Sequence, residues 1–343
     1  MISVIEIIEK NEKDRTKDEL LYCFDILYKS DNTVTKYLEY SDIPNFNEIL
    51  NNLRLLSKSR FFTFEWCPFR FKCSYIVKYR VESNLKIMVD GSNLHLNDQQ
   101  FWESIKPDEF MIQNERIFEF IFHRCLSLIP ITVELDEFNI KMIKAFSGFE
   151  SKRIIKIFEE KGQTIETIKK YVIPIIIETK IENWSRKLMG IIDRGDMLTN
   201  DTHALVEYKY GKPKFWETYK EKAILDELAF YNILVQGKEV YAIEKKDGKD
   251  ICIPLEEKLG FTPKFYYGSM LFFQDLKNTG HLFKITNSKM RGILTRIKKF
   301  WNAIETGQFP AKGNDSCYQW CPYYWDLCEH NEFWKNIDRS VEE

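Results

Sequence analysis

The chain is short of the features that would assign it to a membrane or a secretory route. No stretch approaches the roughly twenty uninterrupted apolar residues that a helix needs to span a bilayer. Ile173-Pro-Ile-Ile-Ile177 is apolar but far too short. The opening Met1-Ile-Ser-Val-Ile-Glu6 has no basic segment ahead of a greasy run, so no secretory leader is expected and a cytoplasmic protein follows. There is no internal repeat and no low-complexity linker. Charge of one dominant sign is also missing: 50 basic and 52 acidic residues leave a formal charge of -2. Bulk electrostatics therefore gives no signal for nucleic acid, and any path for DNA must be a local basic groove. What the chain does have is core material. Its 343 residues are 44% hydrophobic and 15% aromatic, enough for one large domain or two modest ones.

Eight cysteines need an explanation in a reducing compartment. Cys23, Cys125 and Cys252 sit singly among apolar residues and read as buried small hydrophobes. Cys317, Cys321 and Cys328 instead cluster as Cys-x3-Cys-x6-Cys, a spacing that points to metal rather than to disulfides. Three thiolates call for a fourth, because zinc and cubane iron–sulfur clusters both favour four ligands. The candidates are Cys67 and Cys73, in Glu65-Trp-Cys-Pro-Phe-Arg-Phe-Lys-Cys73. Either closes a loop of about 250 residues, worth several kcal/mol on chain-entropy grounds.

Apolar spacing predicts helices over Asp18–Tyr28 and Asn45–Ser57, within a helical leader at residues 1–59. Arg60–Tyr79 is aromatic and basic. It reads as a buried helix supporting the cysteine metal site, with stacking against DNA bases as the functional alternative. A helix is expected through Gln99–Glu103, and residues 107–170 look largely helical. Ile173–Ile181 reads as a strand, Ala223–Leu234 as an amphipathic helix, Val240–Ile243 and Phe265–Phe273 as strands. Lys289–Trp301 reads as a helix carrying Arg291, Arg296, Lys298 and Lys299. The strand–strand–helix–strand order predicts an α/β protein with a mixed sheet and flanking helices, in which residues 60–343 form one domain with a helical insertion at about 100–170.

The run Gly190-Ile-Ile-Asp193-Arg-Gly-Asp196 to Glu207-Tyr-Lys209 carries the chemistry. It reads as a hairpin turning at Asn200-Asp201, closed by Gly211-Lys-Pro213. A strand repeats every two residues, so Glu207 and Lys209 project from one face. Two carboxylates and an amine converging on a point suit a hard divalent metal with a water-orienting cation beside it. The plainer alternative is a surface hairpin with solvated charges.

Four features fall in chain order: Gly91-x-x-x-His95, Gly190 to Asp196, Glu207-Tyr-Lys209, and Glu227-Leu-Ala-Phe-Tyr231, with Cys67 before them and the three-cysteine cluster after. In this order the chain resembles the RecB-type nucleases of the PD-(D/E)XK superfamily over roughly residues 60–330. It looks most like their iron–sulfur subset, which includes AddB and the CRISPR-associated exonucleases of spacer acquisition. The resemblance implies a restriction-endonuclease-like mixed β-sheet core flanked by helices, with a C-terminal iron–sulfur region at 317–328. It implies a magnesium- or manganese-dependent DNA exonuclease acting on single strands or DNA ends in recombination, repair or spacer acquisition, with a helicase or integrase as protein partner. Carried over residue by residue, His95, Asp193, Glu207 and the carbonyl of Tyr208 are the metal ligands. Lys209 positions the attacking water, and Glu227 and Tyr231 border the site and contact DNA. Glu227 stands where the family motif usually begins with Gln. Arg194 and Asp196 support the ligands. Cys67, which matches the family's Cys-Pro-basic-aromatic opening better than Cys73, joins Cys317, Cys321 and Cys328 around a [4Fe-4S] cluster, with zinc as the alternative. The Tyr323-Tyr324-Trp325 run reads as a shield around that metal. A non-catalytic DNA-binding scaffold within a helicase or integrase complex is the competing function, and the active-site chemistry is also compatible with RNA.

Overall fold

A computed structural model describes residues 2–29, 39–42, 45–79, 85–129, 136–210, 221–274, 280–313, 317, 321–324 and 327–328. Gly211-Lys-Pro213 and Trp325 lie outside these residues. The chain divides into two compact units, Asn84–Met290 and the pair of terminal segments Met1–Ser83 with Arg291–Glu343.

The central unit is built on a mixed sheet. Its strands are β1 (Ile176–Asn183), β2 (Leu188–Thr199), β3 (Thr202–Lys209), β4 (Val240–Lys246), β5 (Lys249–Pro254), β6 (Phe265–Phe272) and β7 (Phe283–Lys284). Their order is β5-β4-β1-β2-β3-β6-β7. Neighbours run antiparallel except β3 and β6, which are parallel. The β2–β3 hairpin turns at Asn200-Asp201, where two polar turn-formers follow a β-branched Thr199. The strand β5 was not among the expected elements. Most of it is exposed, so it lacks the apolar run that marks a core strand. Cys252 lies on it and is exposed, which corrects the expectation of a buried small hydrophobe; Cys23 and Cys125 are buried as expected.

Helices cover this sheet. The described residues between 85 and 172 are largely helical, including Leu85–Ser104, Ile117–Leu128 and the long Glu137–Lys161. Phe101, Ile117, Ile121, Met142 and Phe146 from these helices share one core with Val206, Tyr208 and Tyr210 of the β3 region and with Leu271 and Phe273. The helix Glu221–Leu234 packs against the strands at two glycines. A Cβ on Gly190 would sit 3.0 Å from Leu234 and 3.3 Å from Tyr231, and one on Gly268 would sit 2.9 Å from Leu228. Asn183, fully buried, donates to the carbonyls of Leu234 at 3.0 Å and Gln236 at 2.9 Å. It thereby satisfies acceptors that the helix end leaves open.

The terminal unit is helical: Val4–Glu9, Lys17–Phe24, Phe46–Leu53 and Lys58–Trp66 on the N-terminal side, and most of Asn287–Thr306 on the other. Ser3 and Thr16 cap the first two with reciprocal Glu6 and Glu19 contacts. Edge-to-face contacts of Phe64 and Phe71 with Phe300 bring the two segments together. The expected Arg60–Tyr79 helix is broken at Cys67, whose extended backbone precedes Pro68. Proline disfavours helical geometry in the residue before it and opens the next short helix at its first position. Among the described residues no helix is long and apolar enough to cross a membrane.

The glycine contacts make a prediction. Gly268→Ala forces Leu228 and its helix to shift and costs about 1–3 kcal/mol, read as a lower urea midpoint at unchanged slope.

Candidate metal centre

The helix Leu85–Ser104 carries His95, whose Nδ1 lies 2.8 Å from Glu178 Oε1 on β1 and 4.0 Å from Asp193 Oδ2 on β2. His95 packs edge-to-face on Tyr210 at 5.2 Å, and the Tyr210 hydroxyl donates to the buried Asp98 one turn along the same helix. These contacts fix the imidazole. Asp193 is buried, and its Oδ2 accepts from the Tyr208 backbone N–H at 2.7 Å. Ligand atoms of His95, Glu178 and Asp193 all lie within 4.8 Å of one another. One imidazole nitrogen with carboxylate oxygens is a donor set that suits manganese better than magnesium.

On β3, Lys209 Nζ sits 2.6 Å from Glu207 Oε1 and 3.4 Å from Glu227 Oε2 on the helix Glu221–Leu234. Glu207 and Lys209 thus share the face toward that helix, while Tyr208 between them points to the opposite core. Tyr231, one turn beyond Glu227, is buried beside the same carboxylates. Burial, reinforced by the negative charge of Glu207 and Asp193, raises its hydroxyl well above the usual tyrosine range.

The electrostatics are those of a site built to bind positive charge. Burial and then the Glu207 carboxylate push Asp193 up to about 8. Burial works against a charged His95, yet its hydrogen bond to Glu178 and the charge of Asp193 raise it to about 9. Four carboxylates, Glu178, Asp193, Glu207 and Glu227, face two basic groups, which leaves an excess of negative charge around Asp193 and His95.

Behind the site lies a buried ion network. Arg194 is 1% exposed and donates from Nε and Nη2 to the two Asp196 oxygens, each at 2.7 Å. Its Nη1 donates to Glu150 on the long helix and to the Tyr208 hydroxyl at 2.8 Å. The guanidinium lies over Trp102 at 5.3 Å. Arg153 donates to the second Glu150 oxygen at 2.8 Å and to the Val172 carbonyl at 2.7 Å.

Of the residues expected at the centre, the structure brings His95 next to Asp193 and joins Glu207, Lys209 and Glu227. Sequence reading missed two others. Glu178 stands in a strand with no motif around it, and Glu150 is an ordinary-looking acid in a long helix. A strand parity argument from Asp193 across to β1 was the signal for Glu178, and it needs the register that only the fold supplies. His203 is a buried structural residue. Its Nδ1 accepts from the Lys264 N–H at 3.0 Å and its ring stacks on Phe261.

In the terminal unit, Cys67, Cys73, Cys321 and Cys328 gather in one cluster with Phe69 and Tyr323, and Trp66 packs against it. Cys317 is buried nearby. Its carbonyl accepts from the Cys321 N–H at 2.9 Å, and its thiol donates to the Lys312 carbonyl at 3.7 Å. The Lys312 N–H in turn donates to Cys67 Sγ at 3.4 Å. None of the five is in a disulfide, and both Cys67 and Cys73 meet the C-terminal set.

A model of the PD-(D/E)XK nuclease superfamily matches residues 55–329. The chain belongs to the PD-(D/E)XK nuclease superfamily. Its divalent-metal chemistry and DNA substrates are those that the acids and lysine of this centre suit. No curated protein sequence matches the chain. Among solved structures, it is similar to a "Putative exonuclease" from Eubacterium rectale, at 12% identity with a TM-score of 0.37, over 82% of this chain and 92% of that one. A likeness at that level carries no functional argument.

Truncating one member of the buried network leaves charge uncompensated. Glu150→Ala is expected to cost about 3–5 kcal/mol, measured by chemical denaturation. A loss below about 1 kcal/mol would remove Glu150 from the network's essential members.

Proposed function

We propose that this protein is a metal-dependent DNA exonuclease that hydrolyses phosphodiester bonds in single strands or at single-stranded ends. The observation that carries the reading is the placement of Lys209 between Glu207 on its own strand face and Glu227 on the facing helix, beside the half-buried His95 and the buried Asp193. His95, Asp193, Glu207 and the Tyr208 carbonyl are the residues that would hold the metal. When bound, a divalent magnesium or manganese ion supplies Lewis acidity, polarising the phosphate and making water a stronger acid.

The chain's own groups supply the rest. Lys209, oriented by its two carboxylate partners, directs the attacking water and offsets negative charge that builds on the phosphate. Glu207 keeps that ammonium from pairing elsewhere. Glu227 and Tyr231 border the scissile position, where the Tyr231 hydroxyl stays protonated and donates to the DNA backbone. Asp193 and His95 would hold the ion in their deprotonated forms.

The cysteine cluster is structural in this reading. Cys67, Cys317, Cys321 and Cys328 bind a [4Fe-4S] cluster that clips the two ends of the terminal unit together. The support is the gathering of Cys67, Cys321 and Cys328 in one apolar cluster without disulfides, and the Lys312 backbone that bridges Cys67 to Cys317. A reducing cytoplasm, a helicase or integrase partner, and work in recombination, repair or spacer acquisition accord with such a nuclease.

Manganese-replete, anaerobically purified protein is expected to shorten end-labelled linear single strands and to leave closed single-stranded circles intact. Lys209→Ala should lower turnover by about a hundred- to a thousand-fold while still binding manganese. Rapid cutting of circles would replace the exonuclease with an endonuclease, and inertness on every DNA form would remove the nuclease activity. The same preparation should be brown and lose its visible absorption in Cys321→Ser. A colourless protein with stoichiometric zinc would overturn the iron–sulfur assignment and leave the nuclease standing.

A further inference from the structure

We propose that Glu178 is a direct ligand of the divalent cation, sharing it with His95 and Asp193. The inference rests on the metal-dependent reading above and adds a residue that the motif order did not supply. Strand register is its starting point. Ile177 pairs with Arg194 and Thr179 with Ile192, so Glu178 lies opposite Asp193. Arg194 pairs with Val206, so Asp193 lies opposite Glu207. Three carboxylates therefore form one row across β1, β2 and β3. Like charges directly opposite one another destabilise a sheet, and burial deepens the penalty. A row of this kind persists where a cation sits against it.

The backbone gives a second, independent indication. Glu178 has φ +37 inside an extended strand. That left-handed region is disfavoured for a residue with a side chain, and such strain collects at functional sites. The turned backbone interrupts the β1–β2 ladder at the position facing Asp193.

The third indication is spacing. Ligand atoms about 2.1 Å from a small divalent cation lie about 3–4 Å from each other. His95 Nδ1 is 2.8 Å from the Glu178 oxygen and 4.0 Å from the Asp193 oxygen. Glu207 is outside this triad, and its Oε1 is taken up by Lys209 at 2.6 Å. On the His95 side of Asp193, Glu178 is thus the carboxylate at coordinating distance.

The alternative role for Glu178 is to orient His95 through that hydrogen bond without touching the metal. A titration of manganese into the full chain, followed by loss of the free-ion electron paramagnetic resonance signal, separates the two. Glu178→Gln should weaken manganese binding about tenfold or more, and should do so again in a His95→Ala background. No further weakening in that background would mean that Glu178 acts only through His95, and would overturn the proposal. If Asp193→Ala abolishes binding while Glu178→Gln leaves it within about twofold, the proposal falls and the nuclease reading stands. If the wild-type chain binds no manganese, both fall. Should Glu178→Gln fail to fold, wild-type crystals soaked in manganese decide the matter. An anomalous peak at bonding distance from the Glu178 carboxylate supports the assignment. A peak held by Asp193 and Glu207 with Glu178 out of reach overturns it.

Discussion

The central unit turns on one buried charge. Arg194 has lost nearly all its contact with water, and so loses a large solvation energy that only close, well-formed partners return. Asp196, Glu150 and Tyr208 supply them. Each comes from a different piece of the fold: β2 itself, the long helix Glu137–Lys161, and β3. The network therefore fixes how the helices of residues 85–172 meet the hairpin. It does so at the residues that alternate with the metal-facing acids. Asp193 precedes Arg194, and Glu207 precedes Tyr208, so holding one side of each strand by ion pairs holds the other side in position. The helical insertion at about 100–170, which had no assigned role in the sequence, provides Glu150, and the helix before it carries His95.

The metal-facing side is organised by the opposite condition, an excess of negative charge over positive. Glu178, Asp193, Glu207 and Glu227 outnumber His95 and Lys209. Without a cation, the excess negative charge makes Asp193 and His95 hold their protons more tightly than free side chains do. A site of this kind has low stability in its empty, deprotonated form and gains stability on binding a dication. The two sides of the hairpin thus divide the work. One is a closed, charge-balanced ion network that gives rigidity, and the other carries an excess of carboxylates that gives affinity for a cation.

Much of this was legible in the chain. The hairpin, its turn at Asn200-Asp201, the helix carrying Glu227 and Tyr231, and the shared face of Glu207 and Lys209 follow from local spacing, which the fold preserves. The meeting of Cys67 and the C-terminal cysteines could be argued from ligand number, and Cys73, the other candidate, arrives there as well. What escaped the sequence depends on register and long-range packing. Glu178 reaches the site because β1 pairs with β2 so as to set it opposite Asp193, and a one-residue slip would have turned it away. Glu150 reaches Arg194 across 44 residues of chain. Cys252 looked apolar in sequence but lies on an exposed strand, because Ile251 and Cys252 belong to a short edge element rather than to the core.

The central claim is that Asp193 anchors a catalytic divalent metal. The most direct test is calorimetric titration of manganese into wild-type and Asp193→Asn proteins, with hydrolysis of end-labelled single-stranded DNA followed on the same samples. The account predicts that the wild type binds manganese and cuts, and that Asp193→Asn, folded and of nearly the same shape, does neither. An Asp193→Asn protein that binds the ion and degrades DNA at the wild-type rate would contradict it.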